Sequence, residues 1–407
     1  MPLRVVALIA ALAGALLLGA GAGAARPDEQ TPLARRLARA LAAPQLDTTR
    51  SAAVAVDLLT GTAVFTRHHG LALVPASNEK LAVTYATLVA LGPGFRIRTD
   101  VLGAGARRGS TLAGTLVLKG YGDPTLTLGD LRTLAKQVRR AGITRVTGGV
   151  AGDESFFDDR RTGPGWKAYF FRNESPPLSA LSVDRGRYGG VTSVRPAVGA
   201  AAVLKGELRR AGVAVSGPAF AARAPRNGIP LGSVVSAPLW RILRFMDRES
   251  DNFTAELLLK QLGARYGGRG STAAGAAVAT RVLTADGIPM AGVRIADGSG
   301  LSRLNRLTAA ALIGILQAAW TSPQLRPAFV GALPVAGRSG TLRHRLLTTA
   351  TRGRVFAKTG TTSLSSSLAG FVRDRYAFAI VHNGSPVASW WARQAQDRFV
   401  AALASAK

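Results

Sequence analysis

The sequence predicts an α/β (α+β) fold in which one domain is assembled from both ends of the chain and an α+β module is inserted between them. Three observations carry this. The 407 residues are 47% hydrophobic, enough for one large domain or two to three ordinary ones. The pattern changes from helical to short strands with glycine turns at Phe95, and back to helices at Leu231. The stretch GRVFAKTGTTSLSSSLAGFVRDRYAFAIVHNG near the C-terminus reads as three strands, matching two strands expected near residue 60. The expected division is a signal peptide at 1–25, a first domain part at 27–94, the insert at 95–230 and a second part at 231–407.

Taken in order, Arg4 gives a positive n-region, Val5 to Leu18 an apolar h-region, and cleavage after Ala22, Ala24 or Ala25 fits the small-residue rule. An uncleaved anchor is the alternative, because Val5 to Ala25 carries no charge. Either way the body of the protein is expected outside the cytoplasm. Thr31 to Ala43 has helical apolar spacing, and SAAVAVDLLTGTAVFTRHHG reads as two strands around Thr60-Gly61. A helix then runs from Ser77 to the Gly92-Pro93-Gly94 stop, with Leu81, Tyr85, Leu88 and Val89 expected as its single buried stripe. In the insert, RIRTDVLGAG, LAGTLVLKGYGDPTLTL and ITRVTGGVAGD look like strands, LGDLRTLAKQVRRAGI a helix, and AAVLKGELRRAGVAVSG a helix-to-strand unit. Beyond Leu231, two helices break around Arg248 to Asp251, two more follow, then the three strands and a final helix from Trp390 to Ala404.

Composition narrows the chemistry. There is no cysteine, so disulfides, thiol catalysis and zinc–thiolate sites are excluded. The four histidines show no H-E-x-x-H spacing, and neither a metal nor a cofactor is expected. The net charge is +29, almost all from arginine. The basic residues are scattered without long runs or interleaved aromatics, which together with the export signal argues against nucleic acid. Attraction to anionic envelope polymers or a membrane surface is one explanation, and a genome-wide arginine bias is the other.

The stretch SNEKL sets Ser77 and Lys80 one helical turn apart on one face. Alone, Ser77 is a helix cap. As a nucleophile it needs Lys80 as a neutral base, and three pKa units below the usual lysine value is roughly 4 kcal/mol. Burial and a neighbouring cation can supply that. FAKTGTTS offers Lys358 as the cation, the Thr359 hydroxyl for a substrate carboxylate, and Gly360 with no Cβ so that substrate can lie against the strand. The N–H of Thr361 can pair with that of Ser77 as an oxyanion hole. RESDNF adds Ser250, a hydroxyl between the two lysines able to shuttle a proton to the leaving group, and Asn252, able to orient Lys80 and a substrate carbonyl. Helix capping is the plain alternative for these two as well.

The order S-x-x-K, S-x-N, K-T-G marks class A β-lactamases and penicillin-binding proteins, so the fold expected is the serine β-lactamase/penicillin-binding-protein transpeptidase-like domain with an inserted α+β domain. Within that superfamily the chain resembles the type-4 penicillin-binding proteins, D-alanyl-D-alanine carboxypeptidases/endopeptidases. The matching stretches are SNEKL, GDPTL, ALSVD, SDNFTAELLLK, DGSGLSRLN, LPVAGRSGTL and KTGTTS with SLAGFV. The insert is short for that family, which often has two subdomains there. The resemblance implies that Ser77 attacks the penultimate D-Ala carbonyl of a peptidoglycan stem peptide with Lys80 as base. Ser250 and Lys358 relay a proton to the leaving D-Ala, Thr359 binds its carboxylate, and Asn252 holds the acyl-side amide. It also implies that β-lactams acylate Ser77, and that an insert aspartate, matched here by Asp153, meets the ammonium of a diaminopimelate side chain. Asp123 is read as structural. Two rivals are a β-lactamase, for which Glu256 sits inside a helix rather than on a loop, and a non-catalytic cell-wall-binding protein of the same fold.

Overall fold

The computed structural model describes residues 31–188 and 190–406, so the expected signal segment lies outside the described residues. Among the described residues no helix is long and apolar enough to cross a membrane.

One sheet has five antiparallel strands in the order Val355–Thr361, Ser365–Val372, Tyr376–Asn383, Ser51–Asp57, Ala63–Arg67. Strands from the two ends of the chain meet in its middle, in register from Ser51 with His382 to Asp57 with Tyr376. Ser51–Asp57 is buried along its whole length, because both faces of the sheet are covered. Ala52, Val54 and Val56 pack into a core shared with the helices Glu79–Leu91, Leu239–Arg248, Asn252–Tyr266 and Ala309–Thr321. Ala53 and Ala55 face the other way, against Leu37 of the helix Pro32–Ala40 and Phe399 and Leu403 of the helix Ser389–Ala404. The result is an α/β/α sandwich.

The helix Glu79–Leu91 lies inside the first of these cores. Every residue from Glu79 to Leu88 is buried, whereas Val89 is 39% exposed. The single stripe expected from spacing is therefore corrected: a helix ringed by other helices has no solvent face along these turns.

The second sheet lies between the two halves of the first in sequence. Its main path is Ala219–Ala221, Val150–Asp153, Thr111–Gly120, Arg98–Arg108, Ile229–Val235. The helices Leu128–Arg140 and Pro196–Arg210 pack on it through Leu131, Leu134, Leu204 and Leu208. Ile229–Val235 continues past residue 230 because it pairs along its length with Arg98–Arg108. The two crossings between the sheets are held side by side: Ser236 Oγ accepts from Ile97 N at 2.9 Å, and Leu239 N donates to Phe95 O at 2.8 Å.

Candidate active site

Three segments far apart in sequence meet above the buried helix. Ser77 sits in a 3-10 turn, Ala76–Asn78, that precedes the helix Glu79–Leu91. Ala76 has φ +49°, in the left-handed region, which turns the chain sharply before the serine. The alternative reading of Ser77 as a helix cap is not met. The N-cap position is Asn78, no side chain caps the helix, and Ser77 Oγ instead accepts a hydrogen bond from Lys80 Nζ at 3.2 Å.

Lys80 is fully buried and uses all three donors: to Ser77 Oγ, to Asn252 Oδ1 at 2.8 Å and to the Ser299 carbonyl at 2.5 Å. Burial lowers its pKa to about 8, against the pull of Asp297, Asp251, Asp247 and Glu256. Lys358 Nζ, equally buried, donates to Ser250 Oγ and to Thr359 O, both at 2.9 Å. Its pKa falls to about 7 through burial first and the Lys80 charge second, with Asp247 opposing. Burial is the chief cause for Lys80, and the two buried ammonium charges disfavour one another.

Ser250, Asp251 and Asn252 divide the labour at the start of the helix Asn252–Tyr266. Asp251 does the capping, its Oδ1 accepting from Thr254 N at 2.8 Å. That frees Ser250 for Lys358 and Asn252 for Lys80. Ser250 has φ +56°, a conformation that costs a non-glycine residue roughly 1–3 kcal/mol.

Thr359 Oγ1 donates to Thr341 Oγ1 at 2.7 Å, and Thr361 ends the strand, exposed. A Cβ on Gly360 would stand 2.2 Å from Ser367 Oγ, 2.8 Å from Pro75 O and 3.0 Å from Ser77 N. The space that glycine leaves is filled by the serine's own turn, held by Ser367 Oγ donating to Pro75 O at 2.7 Å. This corrects the expectation that the missing Cβ makes room for substrate.

Asp153 stands apart. It is 2% exposed, and its carboxylate accepts from Ser155 N and Ala224 N, each at 2.9 Å, with Lys119 Nζ at 3.8 Å. Each carboxylate oxygen is held by one backbone N–H, and the expected contact with a substrate ammonium stands as a proposal. Asp153 borders a cavity of about 420 Å³ that none of the motif residues lines. Asp123 forms a turn with Thr125, accepting from its N–H at 2.8 Å and from its hydroxyl at 2.6 Å.

Four buried acids surround the site, and the sequence reading singled out only Glu256. Asp297 accepts from Gly300 N, Ser302 N and Asn305 Nδ2 at 2.9, 2.8 and 2.6 Å. Glu256 Oε1 accepts from Gly298 N and Ser299 N at 2.9 and 2.8 Å. Together they fix the loop whose Ser299 carbonyl meets Lys80. Burial and the Asp297 charge raise the Glu256 pKa to about 8, and burial raises that of Glu79 well above the carboxylate range. Asp247 accepts from Thr84 Oγ1 at 2.7 Å and is raised to about 7 by burial, opposed by the Lys358 and Lys80 charges. The stretch DGSGLSRLN carried a signal for Asp297 and Ser299, and Glu256 was noted within its helix. Nothing in the sequence connects Asp247 to Lys80.

In chemical terms, a hydroxyl faces an amine of lowered basicity, and a second hydroxyl bridges to a second such amine. This arrangement can remove a proton from Ser77 and return one to a leaving group on the other side.

The family model for D-Ala-D-Ala carboxypeptidase 3 (S13) matches residues 33–194 and 189–406. A D-alanyl-D-alanine carboxypeptidase of Actinomadura sp. (strain R39) is 32% identical, over 84% of this chain and 79% of its own. A carboxypeptidase of Mycobacterium tuberculosis is 35% identical, over 87% of this chain and 81% of its own. The fold is similar to that of penicillin binding protein 4 of Haemophilus influenzae, with a TM-score of 0.80, 23% identity, and coverage of 92% of this chain and 98% of that one.

Proposed function

The chain belongs to the D-Ala-D-Ala carboxypeptidase (S13) family, and from that premise we propose that it hydrolyses the terminal D-alanyl-D-alanine bond of peptidoglycan stem peptides through an acyl-enzyme on Ser77. The observation that carries this reading is the hydrogen bond from Lys80 Nζ to Ser77 Oγ in a site where burial brings the lysine pKa down to about 8. Ser77 Oγ bonds to the penultimate D-Ala carbonyl carbon while its proton passes to the neutral Lys80 amine. The C–N bond then breaks, and the D-Ala nitrogen takes a proton from Lys358 by way of the Ser250 hydroxyl. A water oxygen then bonds to the acyl carbon as the ester bond to Ser77 Oγ breaks; Ser77 takes back the proton held on Lys80, and the proton lost by water restores Lys358 through Ser250. Thr359 takes the terminal carboxylate, with Thr341 beside it as a second hydroxyl. The N–H groups of Ser77 and Thr361 hold the oxyanion.

β-Lactams meet the same serine and acylate it. Glu256 argues against a β-lactamase, because it is fully buried and its Oε1 is engaged by two backbone N–H groups, so it is not placed to activate a deacylating water. The strands from Arg98 to Val235 form the inserted domain, and the strand-and-helix segments on either side form the transpeptidase-like domain. The export pattern at the N-terminus supports a site of action in the periplasm or cell-wall space, where a net charge of +29 would favour anionic envelope polymers or membrane surfaces.

The test is release of D-Ala from pentapeptide muropeptides, followed by mass spectrometry beside cross-linked dimers. Release from pentapeptide supports the carboxypeptidase, and cleavage of dimers adds endopeptidase activity. Absence of both, with no fluorescent-penicillin adduct on Ser77, removes the reading. Rapid sustained turnover of a chromogenic cephalosporin would replace it with a β-lactamase.

A further inference from the structure

We propose that the inserted domain is a working part of the site: Arg185, on a loop of that domain, is a positioning residue that fixes Ser250 and Asn252 by gripping Asp251 between them. The proposal rests on the reading that Ser77 is acylated with Ser250 and Asn252 as its helpers.

The grip is bidentate. Arg185 donates through one terminal nitrogen to Asp251 Oδ1 at 3.0 Å and through the other to Oδ2 at 2.5 Å. Its guanidinium also stands over the rings of Phe253 and Phe245, 5.1 and 5.9 Å from their centroids. The turn that presents it has φ +44°, +59° and +74° at Asp184, Arg185 and Gly186, so the backbone is bent at a cost to aim this one side chain. Immediately before it comes ALSVD, a stretch with no other role in the site. A second strut comes from the same domain, where the Glu174 carbonyl accepts from Asn252 Nδ2 at 3.0 Å. That bond fixes the amide so that Oδ1 faces Lys80.

The need for a grip is visible in Ser250. A residue in the left-handed region relaxes unless its surroundings over-determine it. Its neighbour Asp251 is held twice, by capping Thr254 N and by Arg185. Burial works against ionisation of Asp251, yet the Arg185 guanidinium and the capping N–H outweigh it and keep the carboxyl below its ordinary range. Release of that carboxylate frees the Ser250 backbone, and the hydroxyl drifts from Lys358. A lysine at 185 keeps the charge but not the fork.

The experiment compares full-length wild type with Arg185→Ala, Arg185→Lys, Asp251→Asn and the Arg185→Ala/Asp251→Asn pair. It reads the rate of acylation by a fluorescent penicillin, kcat and KM for D-Ala release, and the melting temperature. Arg185→Ala is expected to slow acylation and kcat on the order of 10²-fold, the usual cost of a small misplacement, with KM little changed. Arg185→Lys recovers only a minor part, and the double variant is no worse than the worse single one. Wild-type rates in Arg185→Ala overturn the proposal. So does a loss confined to KM, or losses that multiply in the double variant. If Arg185→Ala does not fold, the same rates in Arg185→Lys and Asp251→Asn decide it. A wild type that forms no adduct condemns the acyl-enzyme reading itself, which is a different result from an adduct formed equally fast by every variant.

Discussion

The two sheets treat buried charge in opposite ways. In the inserted domain, buried acids are satisfied. Glu207 meets Arg132 at 3.1 Å and also Arg210, Asp100 meets Ser233 Oγ at 2.8 Å and Arg98 at 2.9 Å, and Asp153 accepts two backbone N–H groups. Between them the core is aliphatic, with Leu116, Leu131, Leu134 and Leu204 fully buried. In the other domain, Glu79, Asp247, Glu256, Lys80 and Lys358 are all fully buried. Both oxygens of Glu79, Oδ1 of Asp247 and Oε2 of Glu256 have no protein partner. Each such group costs roughly 1–3 kcal/mol. Unfavourable burial is thus concentrated around the two lysines, whose pKa values are lowered there.

Removing the nucleophile gives the largest expected effect. Ser77→Ala should lower D-Ala release by at least about 10⁴-fold and abolish the penicillin adduct. Because Ser77 caps nothing, its melting temperature should equal that of wild type. A fall of several degrees would restore the capping role and weaken the contrast. Next comes Leu204→Ala in the inserted core, expected to cost about 2–5 kcal/mol in denaturant unfolding. The protein that remains folded should still acylate at the normal rate.

A smaller effect, and the sharpest test of the contrast, is Asp247→Asn. The Asp247 charge favours the ammonium forms of Lys80 and Lys358. Its removal makes both lose their protons more readily. Acylation, which rises as Lys80 deprotonates near pH 8, should therefore rise at lower pH by about one unit. Stability moves as well. A carboxyl raised from 3.8 to about 7 binds its proton more tightly when folded, so its contribution falls as pH rises between those values. Melting temperatures across that range should be flatter in the variant. The smallest effect belongs to Arg132→Met, whose guanidinium is half exposed: at most about 1 kcal/mol and no kinetic change. A kinetic defect there would mean that the inserted domain reaches the site by more than Arg185.

The motif spacing and the meeting of both chain ends in one sheet were legible because both are written in short-range pattern: i, i+3 spacing, apolar runs of strand length between turns, and K-T-G at a strand end. What escaped depends on which surfaces meet. Asp247 matters because Thr84 lies beside it, and Ser299 because a loop folds over Lys80. Neither contact has a local signature. Gly360 departs from expectation for a related reason: it was read against a substrate, whereas its closest neighbours are Ser367, Pro75 and Ser77 from other segments.

Strand order in the five-stranded sheet has a temporal consequence. Synthesis runs from the N-terminus, so Ser51–Asp57 and Ala63–Arg67 exist long before Tyr376–Asn383, the strand that completes the pairing of Ser51–Asp57. Until then an apolar edge stands open, a template for wrong pairing that an unfinished chain must keep covered. Lys358 arrives on the same late segment. A nascent or truncated chain therefore carries Ser77 as an unreactive alcohol, and reactivity toward penicillin reports that the last strands have closed.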